Sequence, residues 1–119
     1  LDLMVVLYPH DGGILIEYVF DGKSFQAGHS VNGVSNHVAG SREQGMAALM
    51  DVNGDGIPDV VIPSSDRRSL RAFAFDRNRP LEFTRINLPA PASGNFVVLP
   101  PHSLLVPLED GRRLRIDWR

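Results

Sequence analysis

The sequence predicts an all-β domain built from antiparallel meanders. Short apolar or alternating runs recur along the 119 residues, and turn residues such as Asp-Gly, Asn and Pro separate them. No stretch convincingly repeats its apolar residues with the helical period of about 3.6. Consecutive strands joined by short turns pair antiparallel, so we expect strands that are neighbours along the chain to lie side by side.

The first meander is predicted in the N-terminal part of the chain. Residues 3–8 form a continuous apolar run, which predicts a fully buried strand. Residues 14–20 predict a second strand, and the hairpin signal Asp21-Gly22 leads into a short third strand at residues 23–27. Residues 28–45 are polar and glycine-rich and are predicted to form a long connection, a kind of segment that is often functional.

Two further meanders follow. The second has predicted strands at residues 45–50, 59–63, 70–75 and 81–88. After a proline-rich linker, residues 89–94, the third has predicted strands at residues 96–99, 103–108 and 112–118.

The loop between the first two strands of the second meander carries the clearest chemical signal. Oxygen-bearing side chains stand at positions 1, 3, 5 and 9 of this loop, and Gly56 stands at position 6, where a calcium loop turns sharply. Ca²⁺ takes several oxygen ligands at ~2.3–2.6 Å, which this spacing can supply. The predicted ligands are Asp51, Asn53, Asp55, Ile57 through its backbone carbonyl, and Asp59.

The residues around this loop predict strands on both sides of it. A helix-loop-helix calcium site has an acid at position 12, where this chain has Ile62. Pro58 and the β-branched run at residues 60–62 favour a strand after the loop. The alternative is a surface turn that binds nothing, because Asn-Gly and Asp-Gly are common in hairpins.

Residues 51–62 read D-V-N-G-D-G-I-P-D-V-V-I and resemble the D-x-N-x-D-G-x-x-D-hydrophobic signature of the FG-GAP or VCBS repeat family, which includes integrin α-chain propellers. The resemblance implies a β-propeller whose four-stranded blades hold calcium between their first two strands. On that template residues 45–88 form a complete calcium-binding blade, residues 1–27 an incomplete blade and residues 95–119 a degenerate one. A closed propeller has about 4–8 blades, so the chain is expected to be a partial propeller of two to three.

An open stack of blades leaves an apolar sheet face and strand edges uncovered. We therefore expect either a fragment of a longer propeller or a chain that pairs with its own copies. Aligning Asp2 with Asp59 gives an offset of 59 − 2 = 57 positions, and whether Asp2 belongs to a second calcium loop stays open. The chain opens without an initiator Met or a basic segment, as expected of an excised or processed piece.

Composition limits the classes of partner. The formal net charge of −2 and the sequence pI of 6.1 give no electrostatic reason to expect nucleic acid as a partner. The chain has no cysteine for a disulfide, a zinc finger or a thiol nucleophile. No apolar run approaches the ~20 residues that cross a bilayer, so no membrane span is expected.

The remaining polar residues predict no catalytic group. The long connection contains a dense polar cluster that is the candidate ligand-recognition loop, the alternative being a solvated connection: Asn36, His37, Arg42 and Glu43. The four histidines lack metal-binding spacing and are expected to be solvated: His10, His29, His37 and His102. Five arginines are expected to form a solvated sheet edge: Arg67, Arg68, Arg71, Arg77 and Arg79. Trp118 is expected to pack against a terminal strand.

The expected function is therefore a non-catalytic, calcium-stabilised propeller segment that acts as a scaffold or interaction module of an exported protein, with a protein or glycan as the candidate partner. Export here means a periplasmic, cell-surface or extracellular location. The resemblance also implies an alternative, an accessory or catalytic part of a polysaccharide-active enzyme such as a lyase. A third class is an intracellular repeat protein whose acidic loop stays empty.

Overall fold

Ten strands in three antiparallel sheets make up the part of the chain that the computed structural model describes, residues 2–76 and 79–118. The side chains of Asp2, Asp76 and Arg79 are outside this description. The first sheet contains β1 (Asp2–Leu7), β2 (Ile14–Phe20) and β3 (Phe25–Asn32). The second contains β4 (Ala48–Met50), β5 (Asp59–Pro63), β6 (Ser69–Asp76) and β7 (Arg79–Asn87). The third contains β8 (Val97–Leu99), β9 (Ser103–Pro107) and β10 (Arg113–Asp117).

In each sheet the strands lie in chain order and neighbours pair antiparallel. The predicted all-β class and its antiparallel meanders are thus confirmed, and the described residues contain no helix. The two strands predicted at residues 14–20 and 59–63 have the predicted bounds. The turn predicted around residues 77–78 lies outside the described residues.

The third strand is longer than predicted. It continues to Asn32, which pairs with Ile14, so five residues of the predicted connection belong to β3. Nearly all of β3 is exposed, and an outer strand with no buried face shows no apolar alternation in its sequence. The ladder crosses an irregularity between Ile16 and Tyr18, which adds to the difficulty of predicting the register.

The prediction that the first strand is fully buried is wrong. Leu3 and Leu7 are 45% and 36% exposed. The strand is the edge of its sheet, and only alternate residues such as Met4 and Val6 pack against the core. The unbroken apolar run of β1 therefore has one face packed against the core. Its other face is also apolar, and the described residues leave it uncovered.

Strand β5 lies at the centre of the packing and is buried along its whole length. Val60 and Ile62 join a cluster with Leu15 of the first sheet. Val61, which points to the other side, joins a larger cluster with Leu104 of the third sheet. The second sheet is therefore covered on both faces, with one neighbouring sheet against each.

The same packing occurs at β9. Leu104 and Val106 pack towards the second sheet, as Val60 and Ile62 pack towards the first. The turns after β5 and β9 are also alike. In each turn an aspartate, Asp66 or Asp110, accepts a hydrogen bond from the amide two residues later, at 3.0 Å. The residue after each aspartate, Arg67 or Gly111, has a positive φ, of 61° and 89°.

Two of the arginines connect sheets, so their predicted place on a solvated edge is wrong. Arg67 donates to the carbonyl oxygen of Ala92 at 2.6 Å and pairs with Glu109 at 2.7 Å, next to the third sheet. Arg71 donates to the carbonyl oxygen of Asn32 at 2.6 Å in the first sheet. The side chain of Arg77 is outside the described residues.

The predicted linker at residues 89–94 is packed into the structure. Ala90 and Ala92 are buried in the larger cluster, and the Ala92 amide donates to the Arg67 carbonyl oxygen at 2.8 Å. Trp118 packs against the same cluster, as predicted. The segment between the second and third sheets is therefore part of the core.

Arg71 also forms an ion pair with Glu82, at 2.8 Å from Nε to Oε2. The hydrogen bonds from Arg71 and then Arg85 lower the pKa of Glu82. A lowered folded-state pKa stabilises the fold above the pKa that the group has when unfolded, and this stabilisation is lost as the pH falls through the folded value. The ion pair between Arg71 and Glu82 should therefore weaken in acid.

We predict that Arg71→Ala lowers the free energy of unfolding at neutral pH by about 2 kcal/mol, because it removes charged hydrogen bonds to Asn32, Gly33 and Glu82. Arg85→Ala is the matched control, since its side chain is 51% exposed and pairs with the same carboxylate. We expect this control to change stability by less than ~0.5 kcal/mol. Urea denaturation of both variants measures the difference, and equal effects would contradict the bridging role of Arg71.

Candidate metal centre

The acidic loop joins two paired strands, as predicted. Strands β4 and β5 are antiparallel, and Met50 pairs with Asp59 directly below the loop. The loop, residues 51–58, is therefore a connection between adjacent strands of the second sheet. This pairing fixes the two ends of the loop close together.

Carboxylate oxygens of the loop accept hydrogen bonds from the loop's own backbone amides and so stabilise its conformation. The two carboxylate oxygens of Asp51 accept hydrogen bonds from the amides of Gly54 and Gly56, both at 2.8 Å. Asp55 Oδ1 accepts from the Ile57 amide at 2.9 Å. Gly54 and Gly56 have φ angles of 83° and 84°, a conformation that glycine adopts without strain.

The fold brings three of the predicted ligands together. Carboxylate oxygens of Asp51, Asp55 and Asp59 all lie within 4.8 Å of one another, so this acidic cluster could hold a metal ion. Three carboxylates at this separation repel one another, and a cation between them would replace that repulsion with attraction.

Asp59 is the buried member of the cluster. Its residue is only 1% exposed, and its Oδ2 accepts hydrogen bonds from the amides of Val52 and Asn53 at 2.9 and 3.4 Å. Burial raises the pKa of Asp59, and the two amide hydrogen bonds oppose that effect. Without a cation the ionised carboxylate therefore destabilises the fold. This penalty is absent at low pH, where the group is protonated in both states, and is complete above the raised pKa.

The other two predicted ligands are placed differently. Asn53 Oδ1 accepts from the Asp55 amide at 3.1 Å, within the loop. Ile57 is 62% exposed. Its side chain carries no oxygen, so the predicted ligand is its backbone carbonyl. The donor set near the cluster consists of oxygen atoms, the type that hard cations such as Ca²⁺ and Mg²⁺ prefer.

The candidate recognition residues do not line one common hollow. Asn36 and His37 line a hollow with Gln44. Glu43 lines a different groove, together with Asn95 of the segment before β8. Arg42 is exposed and lines neither of these two.

Glu43 has a local structural role. Its Oε2 accepts from the Asn95 amide at 2.8 Å, and Asn95 Oδ1 accepts from the Gly45 amide at 2.6 Å. These two hydrogen bonds hold the end of the long connection against the segment that leads into β8. The contacts join residues about fifty positions apart, which no local pattern in the sequence would reveal.

Comparison with known protein families, with curated proteins and with solved structures finds no match to the chain. The described residues include no helix long and apolar enough to cross a membrane.

We predict that Gly56→Ala lowers the free energy of unfolding of the metal-free protein by roughly 1–2 kcal/mol, because alanine is strained at a positive φ. No atom beyond Gly56 and its two chain neighbours lies within 4 Å of the added methyl group, so a clash with the rest of the fold is not the cause. Gly56→Asn is the internal control, since asparagine tolerates this conformation and should cost less. Urea denaturation in the presence of a chelator measures both, and an alanine variant as stable as the unaltered chain would contradict this loop geometry.

Proposed function

We propose that the chain is a non-catalytic, calcium-stabilised segment of a β-propeller that acts as a scaffold or interaction module of an exported protein. The observation that carries the proposal is the burial of Asp59 beside two further carboxylates. In a turn that binds nothing, the amides of Val52 and Asn53 offset only part of the cost of burying the Asp59 carboxylate, whereas a cation would offset the rest.

Calcium suits this loop better than other biological cations. The ligands are carboxylate and carbonyl oxygens on a short, glycine-containing loop, and the cluster includes no imidazole or thiolate. Mg²⁺ demands near-ideal octahedral geometry and keeps several waters, whereas Ca²⁺ accepts irregular oxygen shells. The bound ion would join the end of β4 to the start of β5 and remove the repulsion within the loop.

The arrangement of the sheets supports a propeller segment. The three meanders stack face to face, with β4 near β8 and β3 near β7. If β1 is the second strand of its blade, β3 and β7 are both last strands and lie side by side. Strands β4 and β8 are then both first strands and also lie side by side. Blades arranged around an axis have this order, with their first strands nearest the axis.

The type of site supports an exported location. Calcium sites of extracellular modules have dissociation constants of about 10⁻⁴ to 10⁻³ M. Millimolar calcium fills such a site, whereas the much lower free calcium inside cells leaves it empty. At a dissociation constant of ~10⁻⁴ M, millimolar calcium stabilises the fold by about 1.4 kcal/mol.

We predict that Asp55→Ala abolishes calcium binding measured by calorimetry and removes the rise in melting temperature that millimolar calcium gives the unaltered chain. The lost stabilisation is about 1.4 kcal/mol. Asp21→Ala is the control, because Asp21 Oδ1 also accepts hydrogen bonds from nearby amides in an Asp-Gly turn but lies outside the acidic cluster. The calcium response should persist in this control. An unchanged response in Asp55→Ala would contradict the site.

The free face of the first sheet supports self-association or a place within a longer propeller. Leu3, Val5 and Leu7 pair with Tyr18, Ile16 and Ile14, and directly paired residues lie on the same face of a sheet. This face is opposite to the one that carries Met4 and Val6 into the core. An apolar face of this kind favours contact with another apolar sheet.

We predict that the 119-residue chain self-associates as its concentration rises, as measured by size exclusion with light scattering. Replacing Leu3 and Leu7 with glutamate should reduce the association, because both side chains lie on the free face. Substituting the exposed Leu49 of β4, which lies outside both core clusters, is the control and should leave association unchanged. A monomer with a sharp thermal transition at all concentrations would contradict this prediction.

A further inference from the structure

Two histidines that are 27 positions apart in the sequence meet between the β1–β2 turn and the segment after β3. His10 Nε2 lies 2.8 Å from His37 Nδ1, and the ring centroids are 5.0 Å apart. His10 is exposed and His37 is partly buried. The acidic loop uses neither residue. His10 is solvated as expected, whereas His37 is only partly so.

The surroundings of His37 determine its tautomer. His37 Nε2 lies 2.8 Å from the carbonyl oxygen of Ser41. A carbonyl oxygen only accepts hydrogen bonds, so Nε2 carries the proton, and Nδ1 of the neutral ring presents its lone pair towards His10. Histidines that bind metals are commonly oriented in this way, with the second ring nitrogen donating to a backbone carbonyl.

We propose that His10 Nε2 and His37 Nδ1 form a binding site for a divalent transition-metal ion, with Cu²⁺ as the ion of best fit. Metal–nitrogen bonds of ~2.0–2.1 Å that meet at a right angle separate the two nitrogens by about 2.9 Å, whereas a tetrahedral angle separates them by about 3.4 Å. The two nitrogens, now joined by a hydrogen bond, are already 2.8 Å apart, so rotation of the rings that turns both lone pairs towards one ion would give the right angle. Tetragonal coordination by nitrogen and oxygen is typical of Cu²⁺ and Ni²⁺, and imidazole sites bind Cu²⁺ most tightly of the common divalent ions.

Binding replaces the hydrogen bond between the two rings with two metal–nitrogen bonds. The proton on His10 Nε2 moves to His10 Nδ1, which frees a lone pair for the metal and leaves His37 unchanged. In the described residues no third histidine or carboxylate joins the pair, so water completes the coordination shell. A hollow of about 320 Å³ beside His37, lined also by Asn36 and Gln44, gives room for that water.

The ion would cross-link two segments that already touch. The Gly33 amide donates to the carbonyl oxygen of Gly13 at 2.9 Å, which holds the β1–β2 turn against the start of the long connection. A metal bridge between His10 and His37 adds a second tie between the same segments. It depends on imidazole nitrogens, so it is chemically independent of the oxygen-lined calcium loop.

The test is a calorimetric titration of the tag-free 119-residue chain with Cu²⁺, combined with electron paramagnetic resonance of the loaded protein. We expect one ion per chain and hyperfine coupling to two imidazole nitrogens. His10→Ala should weaken Cu²⁺ binding about tenfold or more and leave coupling to one nitrogen. His29→Ala is the control, because His29 is exposed on β3 and belongs to no pair proposed here, and it should bind Cu²⁺ as the unaltered chain does.

His10 is exposed, so the His10→Ala chain should keep its strand content, which circular dichroism measures. Unchanged Cu²⁺ affinity in His10→Ala, or coupling to fewer than two nitrogens in the unaltered chain, would overturn the site. Zn²⁺ binding tighter than Cu²⁺ would overturn the right-angle geometry. Asp55→Ala should bind Cu²⁺ normally while losing calcium, so failure of one site is distinguishable from failure of the other.

Discussion

The buried carboxylate of Asp59 is the constraint on which the rest of the second sheet depends. Asp59 opens β5, and β5 packs against the first sheet through Val60 and the third through Val61. Moving the carboxylate into water would require moving the strand that both core clusters share. Two backbone amides offset only part of the cost of burying this charge. A cation held with Asp51 and Asp55 would remove the remaining cost without disturbing the packing.

The sheets are held together by two kinds of contact. Apolar clusters fill the spaces between their faces, and polar bridges join their borders. Arg67, in the turn between β5 and β6, contacts the border of the third sheet, and Arg71, in β6, contacts the first sheet. Arg67 donates to the Ala92 carbonyl oxygen and Arg71 to the Gly33 carbonyl oxygen. Each arginine therefore holds a backbone segment in place in addition to pairing with an acidic side chain.

Much of this architecture could be predicted from local patterns. The strand at residues 59–63 is bounded by the acidic loop and a serine-rich turn. Its β-branched residues favour a strand whether or not the segment is buried. The loop spacing likewise predicts that Asp51, Asp55 and Asp59 lie close together, as they do. What the sequence could not reveal depends on distant contacts. The polar strand β3, the Glu43–Asn95 pair and the meeting of His10 with His37 join segments whose relation only the folded chain defines.

Crystallography of the chain grown with calcium, with anomalous scattering recorded at a long X-ray wavelength, would locate an ion in the acidic loop. We expect an anomalous peak between the carboxylates of Asp51, Asp55 and Asp59, with oxygen ligands at ~2.3–2.6 Å. We also expect strands on both sides of the peak. An intact loop with no anomalous density at saturating calcium would contradict the claim that an ion balances the charge buried at the start of β5.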